Sequence, residues 1–305
     1  FLINGMIWQE REEKIVHGLC KLDYIQMIKP DKLRFGTAGI PNIAKGTSML
    51  DGIRTVRKLS LDAMEMEFVQ KVYLKEEKTE EVKIVAGEND IILTSHGEYW
   101  INLNSKDAKI VDASINRIYN SAKITHLTGG YSTCFHAAYY FKDEHKKVYD
   151  IIKSRLKFIV NKLKDENIKI WIRPETGGKI DQFADSYELI KLASELEMVL
   201  PCFDLAHQYA RTLGKWNSYE EFRKLFGEIE NKLGKEGLHN MHIHTEGIEF
   251  TERGERNHVN LKECKFNYKD LVKVWKEFNI KGIVICESPN IEEDALLLKK
   301  TYEKA

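Results

Sequence analysis

Short apolar runs, each ending in a residue that can bind a metal, recur along this chain with amphipathic stretches between them. The run IKIWIRPETGGK (168–179) closes on Glu175 ahead of a Gly177-Gly178 turn, and EMVLPCFDLAHQY (197–209) closes on Asp204, with His207 three residues later. IILTSH, AKITHL, NMHIH and GIVICE have the same form and carry His96, His126, His242 and Glu287. LDAMEMEF (61–68) alternates strictly, with Met64, Met66 and Phe68 on one side and Ala63, Glu65 and Glu67 on the other, as a strand does.

The pattern predicts strands over residues 33–37, 61–68, 91–96, 123–127, 168–175, 198–204, 241–244 and 282–287. Helices are predicted over 49–58, in KEEKTEEVKIVAGEND, and over 106–121, 142–166, 185–195, 218–234, 268–278 and 291–302. The segment 142–166 has Val148, Ile152, Leu156, Ile159 and Leu163 at helical spacing; the helix after 185–195 opens on Ser218 as an N-cap and stops at Gly234. Strand and helix alternate without a linker or a low-complexity tract. A single-domain α/β fold, the (β/α)8 TIM barrel, is the expectation, because its strands deliver ligands to one common mouth.

Composition narrows this picture. Lys plus Arg number 47 and so do Asp plus Glu, so no polybasic surface or acidic tail steers a partner, and an anionic substrate must be attracted locally. The five cysteines are odd in number, widely spaced and mostly in apolar settings, which points to a reduced, cytoplasmic protein rather than a disulfide scaffold. No stretch approaches the roughly 20 apolar residues of a membrane span, so no membrane partner is expected. Residues 1–26 mix acids, bases and apolar residues without a signal-peptide pattern, and the cleaner alternation opens at Met27. The barrel domain is therefore placed at 27–305, with 1–26 as an extension.

A single histidine at a strand end is more often a hydrogen-bonded rim residue than a ligand. His96, His126, Glu175, Asp204, His242 and Glu287 instead fall at the ends of six different predicted strands, which a barrel brings to one mouth. His207 follows Asp204 into a helix, and His258 has Glu255 three residues before it. So many mixed ligands exceed one four-coordinate ion and suit two or three metals, with the two oxygens of Glu175 able to bridge.

At these residues the chain resembles the endonuclease IV family, metal-dependent abasic-site endonucleases on a xylose-isomerase-like barrel. The resemblance runs from Leu33 to Glu287, through HGEYWINL, THLTGGY, PETGG, FDLAHQY, MHIH, NHVNL and ICESP in that order. It implies a zinc centre of two or three ions, Mn2+ being the other candidate metal. One zinc would take His96, His126 and Glu175; a second Glu175, Asp204, His242 and Glu287; a third His207, His258 and an acid, Glu255. It also implies hydrolysis of damaged duplex DNA on the 5′ side of an abasic site by a monomer, with Glu175 catalytic and with Tyr99 and Arg256 touching substrate.

Departures from the family bear on the third metal and on the substrate. Arg256 stands where the family has an aspartate, and Glu255 is the nearest acid. The family's late histidine is followed by Asn-Asp-Ser, where this chain reads Ile243, His244, Thr245 and Glu246, and Glu98 replaces a proline. The stretch FVQKVYLKEEKTEE lacks the Arg and aromatic content of a loop that enters a DNA minor groove. Arg173, Lys179, Arg211, Arg253 and Arg256 are the basic residues expected beside the mouth. A sugar isomerase or epimerase on the same barrel, acting on a small ketose, is the alternative; the histidine count favours zinc over the magnesium such a site would prefer. A non-catalytic scaffold is the third reading.

Overall fold

Parallel strands and helices do alternate along the chain, and the strands curl into a closed ring. The computed structural model describes Met27 and residues 29–305; the expected 1–26 extension lies outside the described residues. The barrel strands are β1 Leu33–Ala38, β2 Ala63–Glu67, β3 Ile92–His96, β4 Ser132–Phe135, β5 Trp171–Pro174, β6 Phe203–Asp204, β7 Met241–Thr245 and β8 Gly282–Cys286. They pair in the order β5-β4-β3-β2-β1-β8-β7-β6, all parallel. Bridges Ile172 to Val199 and Glu175 to Cys202 join the two ends, so no edge is left open.

The helices outside the ring are α1 Met49–Lys58, α2 Thr79–Glu88, α3 Ala108–Leu127, α4 His145–Asp165, α5 Ser186–Glu195, α6 Leu205–Arg211, α7 Tyr219–Leu238, α8 Tyr268–Glu277 and α9 Glu292–Lys304. Their starts carry the chemistry that the sequence advertises. Ser48 accepts from the Asp51 N–H, and Asp185 with Glu188 and Ser218 with Glu221 form capping boxes. Gly234, at φ 66°, kinks α7, which resumes to Leu238 rather than stopping there.

The alternation in the strands divides the molecule into layers. Met64, Met66, Phe68, Met241 and Ile243 face the helices within one apolar cluster, while Glu65, His242 and His244 meet one another inside the ring. Gly36 is needed where β1 crosses β2, since a Cβ there would lie 2.1 Å from the Ala63 carbonyl oxygen. Among the described residues no helix is long and apolar enough to cross a membrane.

The expected fourth strand at 123–127 is corrected. Those residues are the last turn of α3, continuing the buried positions Ile118, Ala122 and Thr125 at helical spacing, and the true β4 begins at Ser132. A five-residue apolar run cannot by itself distinguish the end of a buried helix from a strand. The helix ends only where Gly129 takes φ +67° and Gly130 passes so close to Thr125 that a Cβ would clash.

Candidate metal centre

At the C-terminal ends of the strands, histidines and carboxylates from seven segments converge. Glu175, just beyond β5, is their centre and is 1% exposed. Its Oε2 lies 3.0 Å from His96 Nε2 and 3.5 Å from His136 Nε2; its Oε1 lies 3.1 Å from His244 Nδ1. The two oxygens therefore serve two different groups. His96, His136 and Glu175 form the first, and Glu175, Asp204, His244 and Glu287 the second, with His244 Nδ1 3.4 Å from Glu287 Oε1. His207, Glu255 and His258 form a third, and Asp204, His207 and Glu246 link it to the second.

Local folding explains how these side chains are held. Asp204 ends β6 and caps α6, its Oδ1 accepting from the His207 N–H at 2.6 Å, so the same residue that starts the helix turns its other oxygen toward the mouth. His258 and Glu255 come from a hairpin, Gly247–Thr251 with Gly254–Val259, that follows β7. The Gly177-Gly178 turn lets this hairpin in, because a Cβ on Gly178 would lie 2.5 Å from Glu255 Oε2 and 2.7 Å from His207 Cδ2.

The donor set fits metal ions. His96 donates from Nδ1 to Gly97 O at 2.7 Å, His207 to Thr176 O at 3.1 Å, and His258 to Glu287 O at 3.4 Å. A carbonyl only accepts, so in each ring Nδ1 carries hydrogen and Nε2 is the nitrogen that faces the cluster and that a metal would take. His207 Nε2 and His258 Nε2 face each other at 3.3 Å, and Glu255 Oε2 stands 3.5 Å from the former. Two nitrogens on a tetrahedral zinc with bonds of about 2.0–2.1 Å would be roughly 3.3 Å apart. Asp204 Oδ2, both oxygens of Glu246 and Oε1 of Glu67 are buried without a hydrogen bond, a costly state that a cation would relieve.

Without an ion, charge in the site is divided between ionised carboxylates and protonated rings. Burial opposes protonation of His96, yet Glu175 beside it carries its pKa up to about 10; His207 likewise rises to about 9 against its burial, through Asp204 and Glu255. Burial alone would raise Glu175, but His136 and His244 hold it well below the carboxylate range. His136 is driven down to about 4 by burial. Burial lifts Asp204 to about 6, lifts Glu67 to about 8 with help from Glu65, and lifts Glu246 well above its ordinary value with Asp204 and Glu287 contributing.

Of the residues expected from sequence, His96, Glu175, Asp204, His207, His258, Glu255 and Glu287 are brought together; His126 and His242 are not. His126 lies in the last turn of α3 with Nδ1 on the Lys169 carbonyl, before β5 begins and so at the opposite end of the barrel. His136, two residues after Cys134 on the inward side of β4, takes its place. His242 sits below the mouth, sharing a hydrogen bond with Ser132 Oγ at 2.9 Å, and His244 occupies the position expected of it. The signal was present as period two: His242, His244 and Glu246 all face inward, and only height in the barrel separates them. Glu65, Glu67 and Glu246 were missed for the same reason. Tyr99 is exposed, its ring 6.0 Å from that of His96, and Arg256 is exposed on the hairpin.

The basic rim is thinner than expected. Arg173 is buried inside β5, bound to Pro201 O, Asn240 and the Tyr131 hydroxyl, and Arg211 is committed to Gly177 O and Ala184 O. Lys179, Arg253 and Arg256 remain at the surface.

Residues 53–303 match the family described as the xylose isomerase-like TIM barrel. The chain belongs to that family. An uncharacterized protein of Methanocaldococcus jannaschii is 44% identical over 272 residues, spanning 89% of this chain and 97% of that relative. Endonuclease IV from Thermus thermophilus superposes with a TM-score of 0.69 at 14% identity, over 89% of this chain and 100% of the other. A D-tagatose 3-epimerase-like protein gives 0.68 at 16% identity, over 89% and 96%, and the Escherichia coli 3-keto-D-glucoside 4-epimerase YcjR gives 0.62 at 14%, over 88% and 100%. At these identities the likenesses establish the barrel of this xylose isomerase-like family member and leave its chemistry to its own side chains.

Proposed function

We propose that this barrel hydrolyses phosphodiesters at a centre of two or three zinc ions, with duplex DNA at an abasic site as its substrate. The observation that carries this reading is the continuity of three nitrogen-and-oxygen groups through Glu175 and the Asp204–His207 pair. One divalent ion would leave most of these buried ligands unused. Metals bound there would make water acidic enough to ionise near neutral pH and would neutralise the charge that builds on phosphoryl and leaving oxygens.

The side chains do the rest. Glu175, ionised and held by histidines on both sides, fixes the spacing between the first two groups. Backbone carbonyls hold Nδ1 of His96, His207 and His258, so Nε2 of each is aimed at the cluster before substrate arrives. Lys179, Arg253 and Arg256 supply local positive charge at the rim, and Tyr99 offers an exposed aromatic face beside His96.

The epimerase reading draws support from the second group alone, where Glu175 and Glu287 flank His244 and could trade a proton with a small ketose bound between them. It gives no role to His136, His207 and His258. Metal-loaded protein should be incubated with a duplex holding one tetrahydrofuran abasic analogue, beside a panel of ketoses. Metal-dependent incision on the 5′ side, lost in Glu175→Gln, supports the nuclease; turnover of a sugar with no incision at low salt refutes it.

A further inference from the structure

Below the mouth, inside the ring, Cys134, Cys202, His242 and His244 bring their donor atoms within 4.8 Å of one another. All four side chains are fully buried. They arise from the same alternation that builds the mouth: Cys134 precedes His136 by one inward step on β4, Cys202 precedes Asp204 entering β6, and His242 and His244 are successive inward positions of β7. We propose that these four residues form a second, interior metal site of thiolate–imidazole type, for a soft-tolerant divalent ion such as Zn2+.

The geometry carries the proposal. Cys134 Sγ is 3.7 Å from His244 Nε2. Sulfur at about 2.3 Å and nitrogen at about 2.0–2.1 Å on a tetrahedral zinc would be roughly 3.6 Å apart. His242 uses Nδ1 on Ser132 Oγ, and its Nε2 is buried without a hydrogen-bond partner, 3.2 Å from Glu65 Oε2 but off the line of a hydrogen bond. Glu65 stands beside the cluster, with Oε2 accepting from Thr94 at 2.7 Å and from Cys134 Sγ at 3.4 Å; its Oε1 lacks a hydrogen bond yet lies 2.9 Å from His244 Nε2. An unpaired nitrogen, an under-used carboxylate and two thiols in a dry barrel interior form a pocket that favours a cation.

Binding releases protons. Each thiol releases its proton to solvent as the divalent ion enters, which offsets the two charges that arrive, and the hydrogen on His244 Nε2, which faces Glu65, leaves with them. His244 connects the two sites, since Nδ1 faces Glu175 and Glu287 at the mouth while Nε2 faces Cys134. Where ions occupy both sides, its ring gives up its remaining proton as well. The interior ion would thereby fix the orientation of a mouth ligand from below.

The full chain should be reconstituted with Co2+ under reducing, oxygen-free conditions. The mouth groups are all nitrogen and oxygen, so a thiolate-to-cobalt charge-transfer band in the near ultraviolet reports the interior site alone. The expected result is such a band in the native chain and in Cys264→Ser, its loss in Cys134→Ser and Cys202→Ser, and about one fewer metal equivalent in those two variants. X-ray absorption of the zinc-loaded native chain, which needs no variant to fold, should show sulfur at about 2.3 Å from zinc. Absence of sulfur around zinc, a band that survives in both cysteine variants, or a Cys134–Cys202 disulfide in the protein purified under reductant would overturn the proposal.

Discussion

His207 Nε2 and His258 Nε2 stand 3.3 Å apart, each with its other ring nitrogen spent on a backbone carbonyl. Two nitrogens at that separation repel unless a proton or a metal ion lies between them. A metal ion shared with Glu255 meets that requirement. Metal-replete protein is expected to hold more than one equivalent of transition metal, and His258→Ala, at a partly exposed position, should lose about one equivalent with little change in melting temperature. Elemental analysis showing less than about one equivalent in the native chain would defeat the multi-metal centre.

Glu175→Gln keeps volume but removes the charge shared by the first two groups. Turnover should fall at least ~10²–10³-fold while the circular dichroism spectrum stays native. Activity near that of the native chain would show that Glu175 does not join the groups.

The two corrected histidines can be tested directly. His136→Ala and His244→Ala should each lower metal content and activity together. His126→Ala removes only a hydrogen bond to Lys169 O at the far end of the barrel, so its effect should be confined to about 0.5–1.5 kcal/mol of stability. Loss of metal in His126→Ala with retention in His136→Ala would reverse the assignment.

Metal binding should release protons. Without metal, His96 and His207, raised to about 10 and about 9, are protonated at neutral pH, whereas a metal takes the neutral ring. Apparent affinity should therefore rise with pH until those values are passed, by about one log unit per pH unit for each proton displaced. Below about 6, Asp204 also protonates and affinity should fall further. Chelator competition at about pH 6, 7 and 8 measures this, and a flat profile would contradict it.

Binding to abasic duplex should depend only weakly on salt. With Arg173 buried and Arg211 held by carbonyls, Lys179, Arg253 and Arg256 are left, of the five basic residues expected beside the mouth, to meet phosphates. At about 0.9 per contact the log–log slope should be no steeper than about −3. A slope near that of an extensive basic groove would place the DNA on a different surface.

The order of apolar strands and amphipathic helices, and the residues that face inward, could be read from the sequence, because strand and helix periods are local properties of neighbouring residues. LDAMEMEF separated Glu65 and Glu67 from Met64 and Met66 without any coordinates, and DLAH placed Asp204 and His207 together through the rule for starting a helix. Height within the barrel was decided only by the tertiary structure. Whether His242, His244 or Glu246 reaches the mouth depends on how far β7 is staggered against β8, where His242 pairs with Ile283 and His244 with Ile285. That stagger comes from closing the whole ring. The same holds for His126: its segment is apolar enough for a strand, and only packing of Ile118, Ala122 and Thr125 against the barrel keeps it helical and sends His136 to the site.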